Sequence, residues 1–199
     1  MIKKKLGLSL LTTIGIFLIV LSACNGGDTS TKPVTDHEDH ATMLSDDNAS
    51  EITKAICVLS PTEGNNVKGE ITFTQTDSGI LIVADVEGLT EGKHGFHVHE
   101  YGDISKPDGT SAGGHFNPHG KDHAGPEDTV RHAGDFGNLI ADENGNAYYE
   151  RVDSLISFKG ANNIIGRSII VHADEDDLVS QPTGDAGGRV AHGVIGVGK

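Results

Sequence analysis

The sequence predicts an all-β domain of eight antiparallel strands, arranged as a sandwich or a flattened barrel. Three observations support this class. Short runs alternate between apolar and polar residues, as expected of a strand with one buried face. Glycine-containing turns separate these runs, and no long stretch shows helical periodicity. The pattern spans about 146 residues, which is the size of one domain.

The strands follow one another along the chain, and most of their connections are short. Asp77-Ser78-Gly79 supplies the turn between the second and third strands, and Asp142-Glu143-Asn144-Gly145 the turn between the fifth and sixth. Two connections are long and rich in Gly, Pro and Asp: the first loop, residues 101–136, and the second loop, residues 173–188. The predicted strands are residues 54–60, 67–76, 80–86, 93–100, 137–141, 147–153, 168–172 and 189–197.

Residues 1–23 are predicted to be a secretion signal and no part of the fold. A positive segment, Lys3 to Lys5, precedes an apolar run that is too short to span a membrane comfortably. The run ends in Leu21-Ser22-Ala23-Cys24, which resembles a bacterial lipobox, so Cys24 is expected to become the lipid-modified N-terminus. The alternative is an ordinary secretory signal with an incidental cysteine. Either way the domain is expected to work outside the cytoplasm, in the periplasm or on the outer cell surface, and lipid-anchored in the first case.

Residues 24–51 are predicted to form a flexible tether. They are rich in Gly, Asp, Thr, Ser and Asn and contain few large apolar side chains, so they cannot offset the entropy of ordering. His37 and His40 within this segment could capture a metal loosely, or could belong to a plain solvated linker. The folded domain is then residues 52–199.

The net charge limits the classes of binding partner that we expect, and the cysteine in the domain is expected to be structural. The 15 basic and 29 acidic residues give a net charge of −14, and removing Lys3 to Lys5 leaves 12 basic residues and a charge of −17. Nucleic acid is therefore not an expected partner, because phosphate contact requires a basic surface. Cys57 lies in the first predicted strand, where we interpret it as a small buried apolar residue.

The fourth predicted strand contains His97 and His99 two residues apart. Because strand side chains alternate between faces, both histidines share one face, while Phe96 and Val98 share the other and should enter the core. An H-x-H pair by itself is as often incidental as functional. Further candidate ligands follow in the first loop and at the end of the seventh strand: His115, His123, His132, Asp135 and His172. Imidazole and carboxylate suit zinc, and imidazole suits copper. Seven candidates exceed what one tetrahedral site uses, so two metals that share a ligand are expected.

Four motifs together resemble the Cu,Zn superoxide dismutase family: residues 95–100, 111–118, 131–138 and 187–193. The resemblance extends from about Ile52 to the C-terminus. It implies a Greek-key β-barrel of immunoglobulin-like architecture and the dismutation of superoxide, the substrate, to oxygen and hydrogen peroxide. It also implies a bridging imidazolate at His115. The implied copper ligands are His97, His99, His115 and His172, and the implied zinc ligands are His115, His123, His132 and Asp135.

The resemblance further implies roles for three residues outside these sets. Asp176 would link His97 to His123, and such outer partners fix ring orientation. Arg189 would attract and orient the superoxide anion next to copper. His94 would bond main-chain groups across the barrel and bind no metal, while His119 is expected to face solvent.

The sequence departs from the family pattern in two places. The family disulfide would join positions that here are Gly109 and His192, so this cross-link is expected to be absent, with zinc and dimerisation in compensation. His192 as an additional metal ligand is a weaker alternative. The second loop is short, has Pro182 where a steering lysine is common, and contains no lysine. Long-range guidance of the substrate is therefore expected to be weak.

Two further functions compete with the enzyme. One is a membrane-tethered protein that stores or delivers copper or zinc, and the other is a zinc-only structural lipoprotein. The complete copper set and Arg189 favour the enzyme. Gly102, Ile165-Gly166 and Ile195-Gly196-Val197 resemble the dimer surface of the eukaryotic-type enzymes, so a homodimer is also expected.

Overall fold

A computed structural model of the chain describes residues 51–199. The predicted signal at 1–23, the lipidation site Cys24, nearly all of the tether at 24–51, and His37 and His40 lie outside the described residues. Within 51–199, we find no helix with the length and apolar character needed to cross a membrane.

The eight predicted strands are confirmed, with boundaries that agree within two residues except at the last. The sixth and seventh strands coincide with their predicted ranges. The structure contains β1 Lys54–Pro61, β2 Lys68–Thr76, β3 Gly79–Glu87, β4 Gly92–His99, β5 Asp135–Ala141, β6 Ala147–Asp153, β7 Ser168–His172, β8 Arg189–Val194 and β9 Gly196–Val197. Two short 3₁₀ turns, Thr110–Ala112 and Gly160–Asn162, lie in connections.

The final predicted strand, 189–197, is interrupted at Ile195. The N–H of Ile195 donates to the carbonyl oxygen of Arg167 at 2.8 Å, and its own carbonyl oxygen accepts from the N–H of Gly166 at 2.9 Å. Its main chain therefore leaves the strand ladder for the connection that precedes β7. As a result β8 pairs with β7 and the end of β1, whereas β9 pairs with the start of β1.

The strands form a nearly closed Greek-key barrel. Their hydrogen-bonded order is β5-β4-β7-β8-β1-β2-β3-β6, and all these pairs are antiparallel. The two end strands, β5 and β6, are consecutive in the chain and lie side by side. The hydroxyl group of Tyr149 on β6 donates to the carbonyl oxygen of Phe136 on β5 at 3.0 Å and spans this seam.

The predicted inward face of β4 is confirmed. Phe96 and Val98 are fully buried in the hydrophobic core. The ring of Phe96 packs against the rings of Phe136 and Tyr149, with centroids 5.6 and 5.2 Å apart. Cys57 is also buried, and this burial raises the pKa of its thiol to about 12, as expected of a small apolar core residue.

Both long loops pack over the outer face of β4. The first loop occupies residues 100–134 and the second residues 173–188. The N–H of Gly95 donates to the carbonyl oxygen of Asp174 at 2.9 Å, which joins β4 to the second loop. A Cβ atom on Gly95 would lie 2.7 Å from that of Ala186, so the loop can approach β4 this closely only where the strand has no side chain.

Candidate metal centre

The outer face of β4 brings its two histidines under the loops. His97 and His99 alternate with the core residues Phe96 and Val98, and both are 1% exposed or less. His172 ends β7, the neighbour of β4, and His115 is drawn to His99 by a short main-chain bridge. Four imidazoles from three parts of the chain therefore meet beside one strand.

The structure places the seven candidate ligands in two buried clusters that share His115. In each, one ligand atom per residue lies within 4.8 Å of all the others. The first cluster is His97, His99, His115 and His172, and the second is His115, His123, His132 and Asp135. This is the division that the family resemblance implies, although the identity of the metal at each cluster stays a prediction.

In the first cluster, main-chain carbonyl groups lie next to one ring nitrogen of His99 and one of His172, which leaves the other nitrogen of each ring facing the cluster. Nδ1 of His99 lies 3.0 Å from the carbonyl oxygen of Gly113, and Nδ1 of His172 lies 3.3 Å from that of Gly187. If both Nδ1 atoms donate, the two Nε2 atoms, which are 3.3 Å apart, face each other with bare lone pairs. A cation between them removes this conflict, so these residues fit a bound metal.

The second cluster is arranged around Asp135. One oxygen of this carboxylate, Oδ1, lies 2.8 Å from Nδ1 of His115, 3.1 Å from Nδ1 of His132 and 3.1 Å from Nδ1 of His123. Nδ1 of His123 nevertheless lacks hydrogen-bond geometry, and it is buried without a partner. Nε2 of His115 and Nδ1 of His97 are also buried without partners. Leaving such an atom unpaired typically costs about 1–3 kcal/mol, so these three nitrogens fit metal coordination.

Asp176 connects the two clusters. Its Oδ2 lies 2.8 Å from Nε2 of His97 and its Oδ1 lies 2.9 Å from Nε2 of His123, and all three side chains are buried. Each ring is thereby oriented with Nδ1 toward its own cluster. Gly184 lies directly above this carboxylate, since a Cβ at Gly184 would approach Asp176 Oδ1 to 1.8 Å.

Burial and the carboxylates of Asp135 and Asp176 shift the pKa values of the histidines in the site. Burial, aided by His97, lowers the pKa of His115 to about 3, and burial likewise lowers the pKa values of His99 and His172 well below normal. Burial also lowers the pKa of His123, but the carboxylates of Asp135 and Asp176 outweigh it and raise that pKa to about 9. Coordination of a metal by Nδ1 of His123 requires that nitrogen to carry no proton.

Both carboxylates are ionised at neutral pH. Burial raises the pKa of Asp135, but hydrogen bonds from the surrounding histidines outweigh burial and hold this pKa well below its usual range. The same balance, with His123 and His97 as partners, lowers the pKa of Asp176. The site thus supplies two negative charges to balance the cations that it would hold.

Three other histidines of residues 51–199 lie outside both clusters. Nδ1 of His94 is 2.9 Å from the carbonyl oxygen of His172, and its Nε2 is 2.9 Å from that of Thr90, so His94 joins main-chain segments as the resemblance implies. His119 is exposed, with its Nε2 2.7 Å from Oδ1 of Asn162. His192 is buried and belongs to neither ligand set.

Arg189 begins β8 and is held by main-chain carbonyl groups of the first loop. Its guanidinium donates to the carbonyl oxygens of Gly109 and Gly113, both at 2.6 Å. The oxygen of Gly113 is also the one near Nδ1 of His99, so a single peptide group separates Arg189 from the first cluster. A Cβ at Gly109 would lie 3.4 Å from Nδ1 of His192, which brings together the two positions of the missing cross-link.

Two side chains without a predicted role hold the site in place. The side-chain amide of Asn138 pairs with both main-chain groups of Asp176, at 2.8 and 2.9 Å. Arg131, which is buried, donates to the carbonyl oxygen of His132 at 3.0 Å and to the carboxylate of Asp153. Both residues lie in the 131–138 motif, so their position was a signal, but their partners are distant in sequence.

Comparisons with known proteins agree with this geometry. The sequence profile of the family described as "Copper/zinc superoxide dismutase (SODC)" matches residues 67–195. A superoxide dismutase [Cu-Zn] of Paramecium bursaria Chlorella virus 1 is 46% identical over 166 residues, which cover 79% of this chain and 87% of the viral protein. The crystal structure of the clock protein EA4 superimposes with a TM-score of 0.67 and 46% identity, over 73% of this chain and 94% of that one.

The shared position of His115 makes a prediction about metal content. His172→Ala should remove copper while zinc and the fold are kept, because His172 belongs to the first cluster alone. His115→Ala should weaken both metals. Mass spectrometry of the purified variants measures this, and loss of both metals from His172→Ala would contradict the division of the clusters.

Removal of the metals should destabilise the domain more than treatment with a thiol reductant does. Cys57 is the single cysteine among residues 51–199, so within that part no intramolecular disulfide is available to a reductant. A chelator should lower the melting temperature by more than about 10 °C, since it removes binding energy that only the folded state gains. Thermal scans of untreated, reduced and chelated samples test both statements. A large shift in the reduced sample at unchanged metal content would reveal a disulfide, for instance between chains.

Proposed function

Because the chain belongs to the copper/zinc superoxide dismutase family, we propose that its two clusters divide the two metals of that family between them. The protein is an oxidoreductase that converts superoxide to oxygen and hydrogen peroxide, with copper and zinc as cofactors. His97, His99, His115 and His172 hold copper, and His115, His123, His132 and Asp135 hold zinc. The observation that carries this assignment is the pair of buried ligand sets with His115 in common.

The chemistry of each cluster follows from its donors. Bound copper supplies a one-electron redox couple, and bound zinc supplies a fixed positive charge. The first cluster contains imidazoles alone, and these can hold copper in both oxidation states, whereas the second contains the carboxylate of Asp135. Nε2 of His115 is the atom that takes up a proton in one half of the cycle and returns it in the other, while Nδ1 stays with the Asp135 cluster.

Arg189 orients the substrate anion. Two of its N–H groups are used on the carbonyl oxygens of Gly109 and Gly113, so three of the five guanidinium donors remain for superoxide. These carbonyl contacts fix the guanidinium although the family cross-link is absent. The second loop adds five carboxylates and no lysine, and one of them, Glu175, pairs with Lys93 at 2.6 Å. Attraction is therefore local to Arg189 and the metals.

The alternative functions lack this support. Neither the family match nor the viral relative favours a protein that only stores or delivers metal, or a zinc-only structural lipoprotein. A superoxide-consumption assay on the purified protein, with its copper and zinc content measured, tests the assignment. Protein that holds both metals without turnover would contradict the enzymatic proposal.

Arg189→Glu should lower the second-order rate about tenfold or more at low salt, because it replaces attraction of the anion by repulsion. The rate should recover partly as salt screens the new charge. Lys68→Glu on β2 changes the net charge equally at an exposed position and should leave the rate unchanged. The unaltered enzyme should depend only weakly on salt, and a steep fall of its rate would contradict local steering.

We also propose that the protein is a lipid-anchored homodimer outside the cytoplasm. The lipobox at Cys24 supports the anchor, and Cys24→Ser should release the protein from the membrane fraction. For the dimer, a Cβ at Gly102 would touch Gly166 and Val194, so these three residues adjoin one another, and Val194 is 37% exposed. Val197, on the following strand β9, is 59% exposed. Val197→Glu should therefore give a monomer in analytical ultracentrifugation. Cys24→Ser protein that stays in the membrane fraction would contradict the anchor. An unaltered protein that is already monomeric would contradict the dimer.

A further inference from the structure

The side chain of Gln181 forms a two-point hydrogen-bonded pair with the main chain of His123. The N–H of His123 donates to Oε1 of Gln181 at 2.7 Å, and Nε2 of Gln181 donates to the carbonyl oxygen of His123 at 2.8 Å. The two residues are 58 positions apart, and they lie in the second and first loops respectively. Nε2 of Gln181 also donates to the carbonyl oxygen of Val179 at 3.1 Å, which restrains the amide within its own loop.

The Gln181 side chain gives the main chain of His123 the two hydrogen bonds that a neighbouring strand would otherwise supply. His123 lies in a loop without a strand ladder, and in the part of the chain that the structure describes, its main chain makes no other hydrogen bond. A buried main-chain group without a partner is costly, so the amide satisfies both groups at once. Asn138 does the same for the main chain of Asp176.

The position of His123 makes this contact relevant to the metal site. The ring of His123 is held by Asp176 through Nε2 and presents Nδ1 to the second cluster. The ring therefore has its direction from Asp176, whereas the main chain from which it extends is fixed by Gln181. Both supports come from the second loop, although His123 itself belongs to the first.

We propose that Gln181 is a positioning residue for the zinc site, acting through the main chain of His123. The proposal rests on the assignment of His123 as a zinc ligand. Gln181 fixes the position of the His123 main chain, and Asp176 fixes the orientation of its imidazole ring. Together they hold Nδ1 at the cluster before and during coordination. Removal of such an outer support typically costs about 10- to 100-fold in metal affinity.

The test compares Gln181→Glu with Gln181→Ala in the full-length, copper- and zinc-loaded protein. Glutamate keeps the volume of the side chain and its acceptor, but it loses the donor and places a carboxylate oxygen against the carbonyl oxygen of His123. Zinc release to a chromogenic chelator should therefore be about tenfold faster in Gln181→Glu, and accelerated to a lesser degree in Gln181→Ala. Amide hydrogen exchange at His123 should be faster in Gln181→Ala than in the unaltered protein.

A matched control is available at Gln75, the other glutamine of the chain. Gln75→Glu makes the same chemical and charge change at an exposed position on β2, where its amide bonds only local carbonyl groups, and should release zinc at the unaltered rate. Faster release from Gln181→Ala than from Gln181→Glu would show that the side chain acts by filling space, and unchanged release from Gln181→Glu would show that the pair is dispensable. Either result overturns the proposal. His123→Ala distinguishes failure of the ligand assignment from failure of the proposal for Gln181. If His123→Ala keeps its zinc, the assignment of His123 as a ligand is wrong. If His123→Ala loses zinc while Gln181→Glu releases it at the unaltered rate, only the role of Gln181 is wrong.

Discussion

The constraint on which the rest of the structure depends is the burial of seven metal-binding groups in one place. Within each cluster the ligand atoms lie within 4.8 Å of one another, and those with bare lone pairs repel one another unless positive charge lies between them. The barrel supplies the rigid part of this arrangement, since β4 faces the core with Phe96 and the site with His97. The first loop supplies His115, His123 and His132, whereas Asp135 and His172 lie on β5 and β7, and both loops cover the site. Metal binding is therefore a part of folding here as much as of catalysis.

The sequence was a good guide wherever one strand determines the outcome. Alternation along β4 predicted that His97 and Phe96 lie on opposite faces, because that period is a property of the strand itself. The last strand was predicted as continuous, and this was wrong at Ile195. The error has a specific cause, since the main chain of Ile195 bonds to Gly166 and Arg167, which are far away in sequence.

The candidate site was predictable in its ligands and not in its supports. His115 could be assigned to both metals because the motif around it resembles a known family, and Asp176 could be assigned its linking role because of its position four residues after His172. Periodicity in the single sequence would have given neither assignment. The pairing of Gln181 with His123 had no such signal. A side-chain amide in a Gly- and Asp-rich loop has many possible partners, and only the tertiary packing of two loops selects one of them.

Cys57 is deeply buried in the barrel and has no sulfur partner among residues 51–199. Residues 51–199 therefore contain no pair of thiols whose oxidation could close a loop of the barrel. Folding of the barrel does not wait for an oxidant, and a change in the redox potential of the surroundings leaves its connectivity unaltered. The seven ligands come from β4, β5, β7 and the first loop, so bound metals would join these parts of the chain in place of a disulfide.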